Sequence, residues 1–161
     1  MRSSQLFDYI YNTFKLYDIN PENIEFEVTE SAYLENFTLS NKFFRRIGNM
    51  GCAIALDDFG TGYSSLSYLT QINIDTLKVD RQFVMEIQTS ERSRLVTGAI
   101  IDLAKRLSLS VCAEGIENLE QWNYLREHGC DNVQGFMFSK PIPLSELTCS
   151  PSHYSDSSFS V

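Results

Sequence analysis

The sequence lacks the features of several large protein classes. Its four cysteines (Cys52, Cys112, Cys130 and Cys149) never stand in a CxxC spacing, which argues against a zinc site and against a disulfide framework. Small core thiols in a reducing compartment fit this pattern better. No apolar run approaches the length of a membrane span, and no signal-like or arginine-rich segment opens the chain. We therefore expect a cytoplasmic chain without a membrane segment.

Positive charge is also scarce. The sequence carries 13 Lys and Arg residues against 21 Asp and Glu residues, which gives a net charge of −8. A chain this acidic is poorly suited to bind a nucleic-acid backbone, so we expect no DNA or RNA partner. If such a protein acts on a phosphate compound, it needs cations to offset the negative charge.

What the chain does contain is enough apolar residues for a folded core. Its 161 residues and 43% hydrophobic content predict a single domain rather than a disordered chain. This domain is predicted to cover residues 1–147. Residues 148–161 are serine-rich and aperiodic, so they are predicted to form a disordered tail.

Helical and strand-like segments alternate along the domain. Apolar spacing predicts helices over residues 6–17, around 43–47, and over 64–69, 95–107 and 119–125. In the helix over 95–107 the buried face is expected to carry Val96, Ile100, Leu103 and Leu107. Strands are predicted over residues 24–30, 52–56, 74–80, 110–113 and 133–138. About five β/α units imply a parallel sheet with outer helices, either doubly wound or part of a (β/α)₈ barrel. A complete barrel needs about 250 residues, more than this chain has.

The most informative segment is the pair Asp57-Asp58 at the end of an apolar strand, followed by Gly60 and Gly62. Carboxylate oxygens suit Mg²⁺ and Mn²⁺, and adjacent acids can serve two ions through one shared ligand. The alternative is a strand-to-helix turn, in which Asp caps the helix and Gly makes the turn. The segment alone does not decide between these two interpretations.

Other polar residues fall within predicted strands or at their carboxyl ends, where α/β folds place their sites. Lys78 stands between Leu77 and Val79, and Glu27 between Phe26 and Val28. A charge inside such a strand is costly unless it is paired or metal-bound, so each residue could also belong to a buried salt bridge. Their recurrence on successive strands favours a common site. The full set is Glu27, Asp57, Asp58, Lys78, Glu114 and Gln134, with Glu30 and Glu117 as supporting residues.

Five segments together resemble the successive motifs of a known bacterial family, the EAL domain. Residues 26–31, 55–65, 77–80, 113–117 and 133–136 read FEVTES, ALDDFGTGYSS, LKVD, AEGIE and VQGF. The resemblance covers about residues 5–146. It implies a modified TIM-type barrel that hydrolyses cyclic di-GMP to the linear dinucleotide pGpG with two Mg²⁺ or Mn²⁺ ions.

The resemblance also implies metal-binding roles for four of these acids. Glu27 and Asp57 resemble ligands of the first metal ion. Asp57 resembles a bridging ligand to the second ion, which Asp58 also helps to hold. Glu114 resembles the carboxylate that serves as metal ligand or general base.

The remaining roles implied by the resemblance concern water, substrate and loop. Lys78 resembles the residue that orients or activates the attacking water, and Gln134 the amide beside the metal site. Glu30 resembles the glutamate that anchors the Asp-Asp-Phe-Gly loop, and Glu117 is placed similarly. The loop over residues 57–65 is tied in this family to metal binding and to a homodimer.

One departure from the family pattern is large. The strand carrying Glu-Ala-Leu and the next strand, which carries an Asn ligand, have no counterpart here and would both lie upstream of Met1. About five β/α units of the barrel therefore remain, and we expect an N-terminally truncated domain that is inactive alone. The alternative is a degenerate EAL-like module that binds a nucleotide or a protein without turnover.

Overall fold

The computed structural model describes residues 3–60 and 66–146, which form a parallel sheet of five strands in the order β1-β2-β3-β4-β5. The strands are β1 (Glu25–Thr29), β2 (Ala53–Phe59), β3 (Thr76–Val79), β4 (Ser110–Glu114) and β5 (Asn132–Gln134). The helices are α1 (Ser3–Leu16), α2 (Glu30–Glu35), α3 (Phe37–Gly48), α4 (Arg81–Met85), α5 (Glu91–Arg106) and α6 (Leu119–Glu127). Strand order that follows the chain without reversal is that of a barrel rather than a doubly wound sheet. The predicted partial TIM-type barrel of about five β/α units is thus confirmed.

The two faces of the sheet differ in chemistry because side chains alternate along each strand. The face covered by helices is apolar, and the carboxyl-end half of the other face carries the charged residues. Side chains with no exposed surface on the covered face include Ile54, Leu56, Leu77, Val79 and Val111. The alternation therefore separates the hydrophobic core from a polar surface on the same five strands.

Strand β2 is longer than predicted and contains both aspartates. The prediction ended this strand at Leu56, whereas β2 continues to Phe59. Its pairing with β3 shifts register between Leu56 and Phe59, and Asp58 has a φ of 56°. Such an irregularity changes the direction of successive side chains while the strand goes on pairing. The predicted strand end was wrong because the regular sequence pattern stops at Leu56. Pairing with β3 nevertheless resumes at Phe59 after the register shift.

Two further element predictions were wrong in part. Strand β5 ends at Gln134 instead of residue 138, because the chain turns at Gly135 against the backbone of Ile116. Helix α5 begins at Glu91 because the Ser90 side chain caps it. Of the predicted buried face, Ile100, Leu103 and Leu107 pack against the core and Val96 is exposed, while the fully buried residues are Thr97, Gly98, Ile101 and Ala104.

Two aspartates fasten the amino ends of neighbouring strands. Asp75, just before β3, donates its N–H to the Ile54 carbonyl and accepts the Ile54 N–H at Oδ2, both over 2.8 Å. Asp131, just before β5, makes the same pair of bonds with Val111, over 3.2 and 2.8 Å. Asp131 also forms a salt bridge with Lys105. These contacts lie at the opposite end of the sheet from the predicted site.

The contacts of Asp131 lead us to predict how the free energy of unfolding depends on pH. Burial raises the pKa of Asp131, but hydrogen bonds from Lys105 and Val111 lower it more, so the net pKa is below the ordinary value. A group with a depressed pKa stabilises the fold above the ordinary Asp pKa of about 4, and this contribution is lost as the pH falls further. We expect Asp131→Ala to lower the free energy of unfolding by about 1 kcal/mol at pH 7. Asp131→Asn, which keeps an acceptor for Val111, should cost less.

Urea unfolding at pH 7 and pH 3 checks this prediction. The difference between wild type and Asp131→Asn should be full at pH 7 and smaller at pH 3, where Asp131 begins to be protonated. Asp75→Asn is the matched control, since Asp75 makes the same backbone bonds and no salt bridge within the described residues. An equal difference at both pH values for Asp131→Asn would show that ionisation of Asp131 does not contribute.

None of the helices in the described part of the chain is both long and apolar enough to cross a membrane. The segment predicted as a serine-rich tail, residues 148–161, lies outside the described residues, and so do Thr61 to Ser65 of the glycine-rich loop.

Candidate active site

Lys78 is the centre of a charged cluster at the carboxyl end of the sheet. Its Nζ lies 2.7 Å from Glu114 Oε1, 2.8 Å from Glu27 Oε2 and 3.4 Å from Asp57 Oδ1. The four residues come from four consecutive strands in the sheet, and Lys78 is only 5% exposed. The alternative interpretation of a buried salt bridge is therefore correct for Lys78. The same salt bridges bring together three of the predicted metal ligands.

The charges in this cluster are not balanced. Three carboxylates face one ammonium group, which leaves two negative charges over. Burial lowers the pKa of Lys78, but hydrogen bonds to Glu114 and Glu27 and the charges of Glu114 and Asp57 outweigh it, so the pKa is raised above its usual value. Lys78 therefore stays protonated at neutral pH and acts as a cation and hydrogen-bond donor.

Asp58 lies beside this cluster but is not bound to Lys78 in the described residues. Its backbone N–H donates to Asp57 Oδ1 over 3.0 Å, and its φ of 56° is uncommon for a residue other than glycine. Burial raises the pKa of Asp58, and the charges of Asp57 and Asp80 raise it further, while Lys78 lowers it. Asp58 therefore stands at the irregularity of β2, within range of the charges of Asp57, Asp80 and Lys78.

Gln134 supports the cluster from the end of β5. Its Nε2 donates to Glu114 Oε1 over 2.7 Å. The same oxygen accepts the Lys78 bond, so one carboxylate oxygen of Glu114 is held from two neighbouring strands. This arrangement fixes the orientation of Glu114 and leaves the second oxygen of its carboxylate for other partners.

Glu30 lies behind the cluster rather than in it. It is 3% exposed, and its carboxylate accepts the Gly60 N–H over 3.2 Å and the Tyr68 hydroxyl. Gly60 and Tyr68 flank the segment 61–65, so Glu30 contacts the chain on both sides of the predicted loop. The part of the predicted dimer region 57–65 beyond Gly60 lies outside the described residues. The sequence did not single out Tyr68, since its apolar spacing marks it only as a helix residue.

Glu117 is also outside the Lys78 cluster. Its Oε1 pairs with Arg81 Nη2 over 2.6 Å, and its backbone N–H donates to Gln121 Oε1 over 2.8 Å. Arg81 and Gln121 were not predicted as site residues. A residue pair 36 positions apart, such as Arg81 and Glu117, leaves no signal in local sequence periodicity.

The donor set suits a hard divalent cation, which prefers several oxygen ligands and negative charge. In the part of the chain that the structure describes, no three acidic, His or Cys side chains already surround a common metal position. Three of the acids are instead turned toward Lys78 Nζ. The residues that fit a metal by chemistry and placement are Glu27, Asp57, Asp58 and Glu114.

A cavity of about 400 Å³ opens beside the cluster. Glu114 and Gln134 line it, and charged and aromatic residues form its rim. The exposed ring of Phe136 lies 5.9 Å from Lys140 Nζ. The rim residues are Arg81, Glu117, Phe136 and Lys140.

The cysteines take no visible part in this site. Cys52, Cys112 and Cys130 are free thiols, and Cys149 lies outside the described residues. Burial is the main cause that raises the pKa of Cys112 to about 11 and that of Cys130 to about 12. Both thiols are therefore protonated at neutral pH, as the prediction of core cysteines requires.

Comparison with known protein families gives one match to most of the chain. The profile of the EAL domain matches residues 1–141. Among curated relatives, the signaling protein YkoW of Bacillus subtilis is 46% identical over 142 residues, which cover 88% of this chain and 18% of YkoW. The cyclic di-GMP phosphodiesterase NbdA of Pseudomonas aeruginosa is 46% identical over 124 residues, or 77% of this chain and 16% of NbdA. The chain thus spans less than a fifth of the length of either relative.

Solved structures agree with these matches. The PaMucR phosphodiesterase in complex with c-di-GMP superposes with a TM-score of 0.84 at 35% identity, covering 88% of this chain and 57% of that one. A manganese and cy-diGMP complex of BlrP1 from Klebsiella pneumoniae superposes with a TM-score of 0.76 at 33% identity, covering 83% and 34%.

Proposed function

This chain belongs to the EAL domain family, and on that premise we propose that it forms part of a phosphodiesterase that hydrolyses cyclic di-GMP to pGpG. The observation that carries the proposal is the contact of Lys78 Nζ with Glu27, Asp57 and Glu114, each from a different strand. Surplus acids around a buried lysine at the carboxyl end of a parallel sheet suit divalent cations, and such cations would offset the charge of an anionic substrate there.

We propose two divalent cations, Mg²⁺ or Mn²⁺, as cofactors. Glu27, Asp57, Asp58 and Glu114 would hold them, with Asp57 shared between both. The manganese complex of the related BlrP1 supports this assignment. When bound, such ions supply Lewis acidity that favours ionisation of water at neutral pH and offset the charge of the phosphodiester.

The residues of this chain then have separate tasks. Protonated Lys78 donates hydrogen bonds that orient the attacking water and adds positive charge where the phosphodiester becomes more negative. Glu114, oriented by Lys78 and Gln134, accepts the proton of that water as general base. The water oxygen bonds to phosphorus, the bond from phosphorus to the 3′ oxygen breaks, and that oxygen takes up a proton from solvent, which yields pGpG. Phe136 and Lys140, on the rim of the cavity beside Glu114, hold the nucleotide.

We also propose a domain over residues 1–147 that works as part of a larger barrel. Strands β1 and β5 are the two edges of the described sheet, so the sheet is open. Activity requires the strands that close it, and the described units are inactive alone. Glu30 and Glu117 anchor loops beside the site, and a homodimer forms through the region 57–65.

A second candidate function is binding of cyclic di-GMP without turnover. It is favoured by the absence, among the described residues, of three acids already arranged around a metal, and by the use of three of them to bind Lys78. This candidate predicts nucleotide binding that is indifferent to Mn²⁺.

The proposed function is tested by following pGpG formation from cyclic di-GMP with Mn²⁺ by chromatography. The assay uses the chain alone and the chain joined to the preceding strands of a related EAL domain. In the active form, Asp57→Asn is expected to lower the rate at least about a hundredfold, because a charged group next to Lys78 is lost.

Asp75→Asn, at the other end of the sheet, is the matched control for Asp57→Asn and should leave the rate unchanged. A folded, joined form that binds cyclic di-GMP but makes no pGpG would reject the enzymatic proposal in favour of the binding module. Equal rates for wild type and Asp57→Asn would reject this site as the centre of hydrolysis.

A further inference from the structure

Arg81 connects the two turns that carry the central residues of the site. It is the first residue of α4 and follows Lys78 by three positions. Its Nη2 lies 2.6 Å from Oε1 of Glu117, which follows Glu114 by three positions. One salt bridge thus joins the turn after β3 to the turn after β4, beside the contact of Lys78 with Glu114.

The aliphatic part of Arg81 makes a second contact, with Gly115. A Cβ atom at Gly115 would lie 2.2 Å from Arg81 Cγ, 2.8 Å from Cδ and 2.9 Å from Cβ. Gly115 also has a φ of +74°, which side chains rarely allow. The Arg81 side chain therefore lies directly on the backbone of the residue after Glu114, in space that only glycine leaves open.

Glu117, the partner of Arg81 in this salt bridge, is held rigidly. Glu117 donates its backbone N–H to Gln121 Oε1 over 2.8 Å, and Gln121 is 3% exposed. Gln121 also forms a capping box with Asn118 at the start of α6. Glu117 is therefore fixed to a helix end before Arg81 binds it, so the salt bridge positions Arg81 rather than Glu117.

We propose that Arg81 is a positioning residue, which holds Gly115 and thereby the Glu114 carboxylate in line with Lys78 and Gln134. The inference rests on the proposed function of the same site. The side chains of Arg81 and Glu117 are 51% and 41% exposed, and a salt bridge this exposed contributes little to overall stability. The salt bridge contributes instead by placing Glu114. Losing this placement changes the turnover rate but not the free energy of unfolding.

The test compares four variants in the active form of the protein. Arg81→Met removes the guanidinium and keeps most of the stem, Arg81→Lys keeps the charge, and Arg81→Ala removes both contacts. Lys105→Met is the matched control, since it breaks the salt bridge to Asp131, whose side chains are 40% and 34% exposed, at the opposite end of the sheet.

Each variant has a distinct expected result. The value of kcat should fall about tenfold in Arg81→Met and about thirtyfold to a hundredfold in Arg81→Ala, as for other residues that orient a ligating group. KM and the midpoint of urea unfolding should stay near wild type. Arg81→Lys should recover part of kcat, and Lys105→Met should leave kcat unchanged.

A double-mutant cycle tests the contact with Gly115 itself. Gly115→Ala alone should lower kcat strongly, because the new Cβ collides with the Arg81 stem. In the Arg81→Ala background the same change should cost less, since the two closest atoms, Cγ and Cδ, are gone, although Cβ and the strained φ remain. Additive effects of the two substitutions would contradict the packing contact as the cause.

Three results would overturn the proposal. A rise in KM with unchanged kcat would make Arg81 a contact of the substrate, and a large loss of stability would make it a structural residue. Equal kcat values for Arg81→Met and Lys105→Met would leave no role for the salt bridge.

A second measurement separates this inference from the proposed function. The ¹³C resonance of the Glu114 carboxylate, assigned with Glu114→Gln, should shift in Arg81→Met and not in Lys105→Met, whether or not pGpG is formed. An active wild type with an unmoved resonance rejects the positioning role alone. An inactive wild type with a shifted resonance rejects the enzymatic proposal alone.

Discussion

Lys78→Met is expected to lower the rate of cyclic di-GMP cleavage about a thousandfold, since it removes a cation that contacts three site carboxylates. It should also destabilise the fold. Losing one partner of a fully buried ion pair costs about 3–5 kcal/mol, but half of the Glu27 side chain is exposed here, so we expect about 2 kcal/mol.

The same variant should respond to metal in a characteristic way. Without Lys78, three carboxylates repel one another, and a divalent cation is the natural replacement for the lost ammonium. Mn²⁺ should therefore raise the unfolding midpoint of Lys78→Met more than that of wild type, while activity stays low. Lys105→Met, which removes an exposed lysine, is the control for both measurements.

Two outcomes would contradict the role assigned to Lys78. A Lys78→Met variant as stable as wild type would mean that the carboxylates tolerate each other's charge. A variant that keeps the wild-type rate would mean that the lysine only balances charge in the fold. Rate assays and urea unfolding, each with and without Mn²⁺, distinguish these outcomes.

Gly135→Ala is expected to cost about 3 kcal/mol or more of the free energy of unfolding, at the upper end of the cost of overpacking. A Cβ atom at this position would lie 2.2 Å from the Ile116 carbonyl oxygen and 2.3 Å from the Ile116 nitrogen. These are backbone atoms and cannot rotate away. Ile116 is also tied down on both sides, since its N–H donates to the Gln134 carbonyl and its carbonyl accepts the Met137 N–H.

The variant should also reduce activity, because it separates the turn after β4 from the end of β5 and weakens the bond of Gln134 to Glu114. Gly48→Ala is the matched control. Its Cβ would meet only ordinary contacts, at 3.4 and 3.7 Å, and alanine suits a helix better than glycine by about 0.5–1 kcal/mol. Urea unfolding of both variants checks the prediction, and equal stabilities would refute the steric argument.

Local sequence patterns predicted the alternation of strands and helices and the charged residues that gather around Lys78. The period-two strands and the lysine between Leu77 and Val79 were sufficient for this prediction, because a charge in a buried strand has few stable environments. The same reasoning identified the acids of three neighbouring strands, which the parallel sheet brings to Lys78. The assigned roles of these residues remain predictions that the variants above test.

The parts that local patterns did not predict depend on distant contacts. The bulge in β2 follows from its pairing with β3, and the buried face of α5 follows from the sheet beneath it. Tyr68 reaches Glu30 across 38 positions of the chain, and Arg81 reaches Glu117 across 36. A sequence periodicity of two or about four residues contains no information about contacts between such distant positions.

The strand order described above also has a consequence for synthesis on the ribosome. Each strand pairs with the one made just before it, so the sheet can grow in the order in which the chain emerges, without waiting for distant partners. The charged groups arrive in a favourable order as well. Glu27 and Asp57 emerge first, Lys78 neutralises them when β3 pairs with β2, and Glu114 is added only when its counter-ion is already in place.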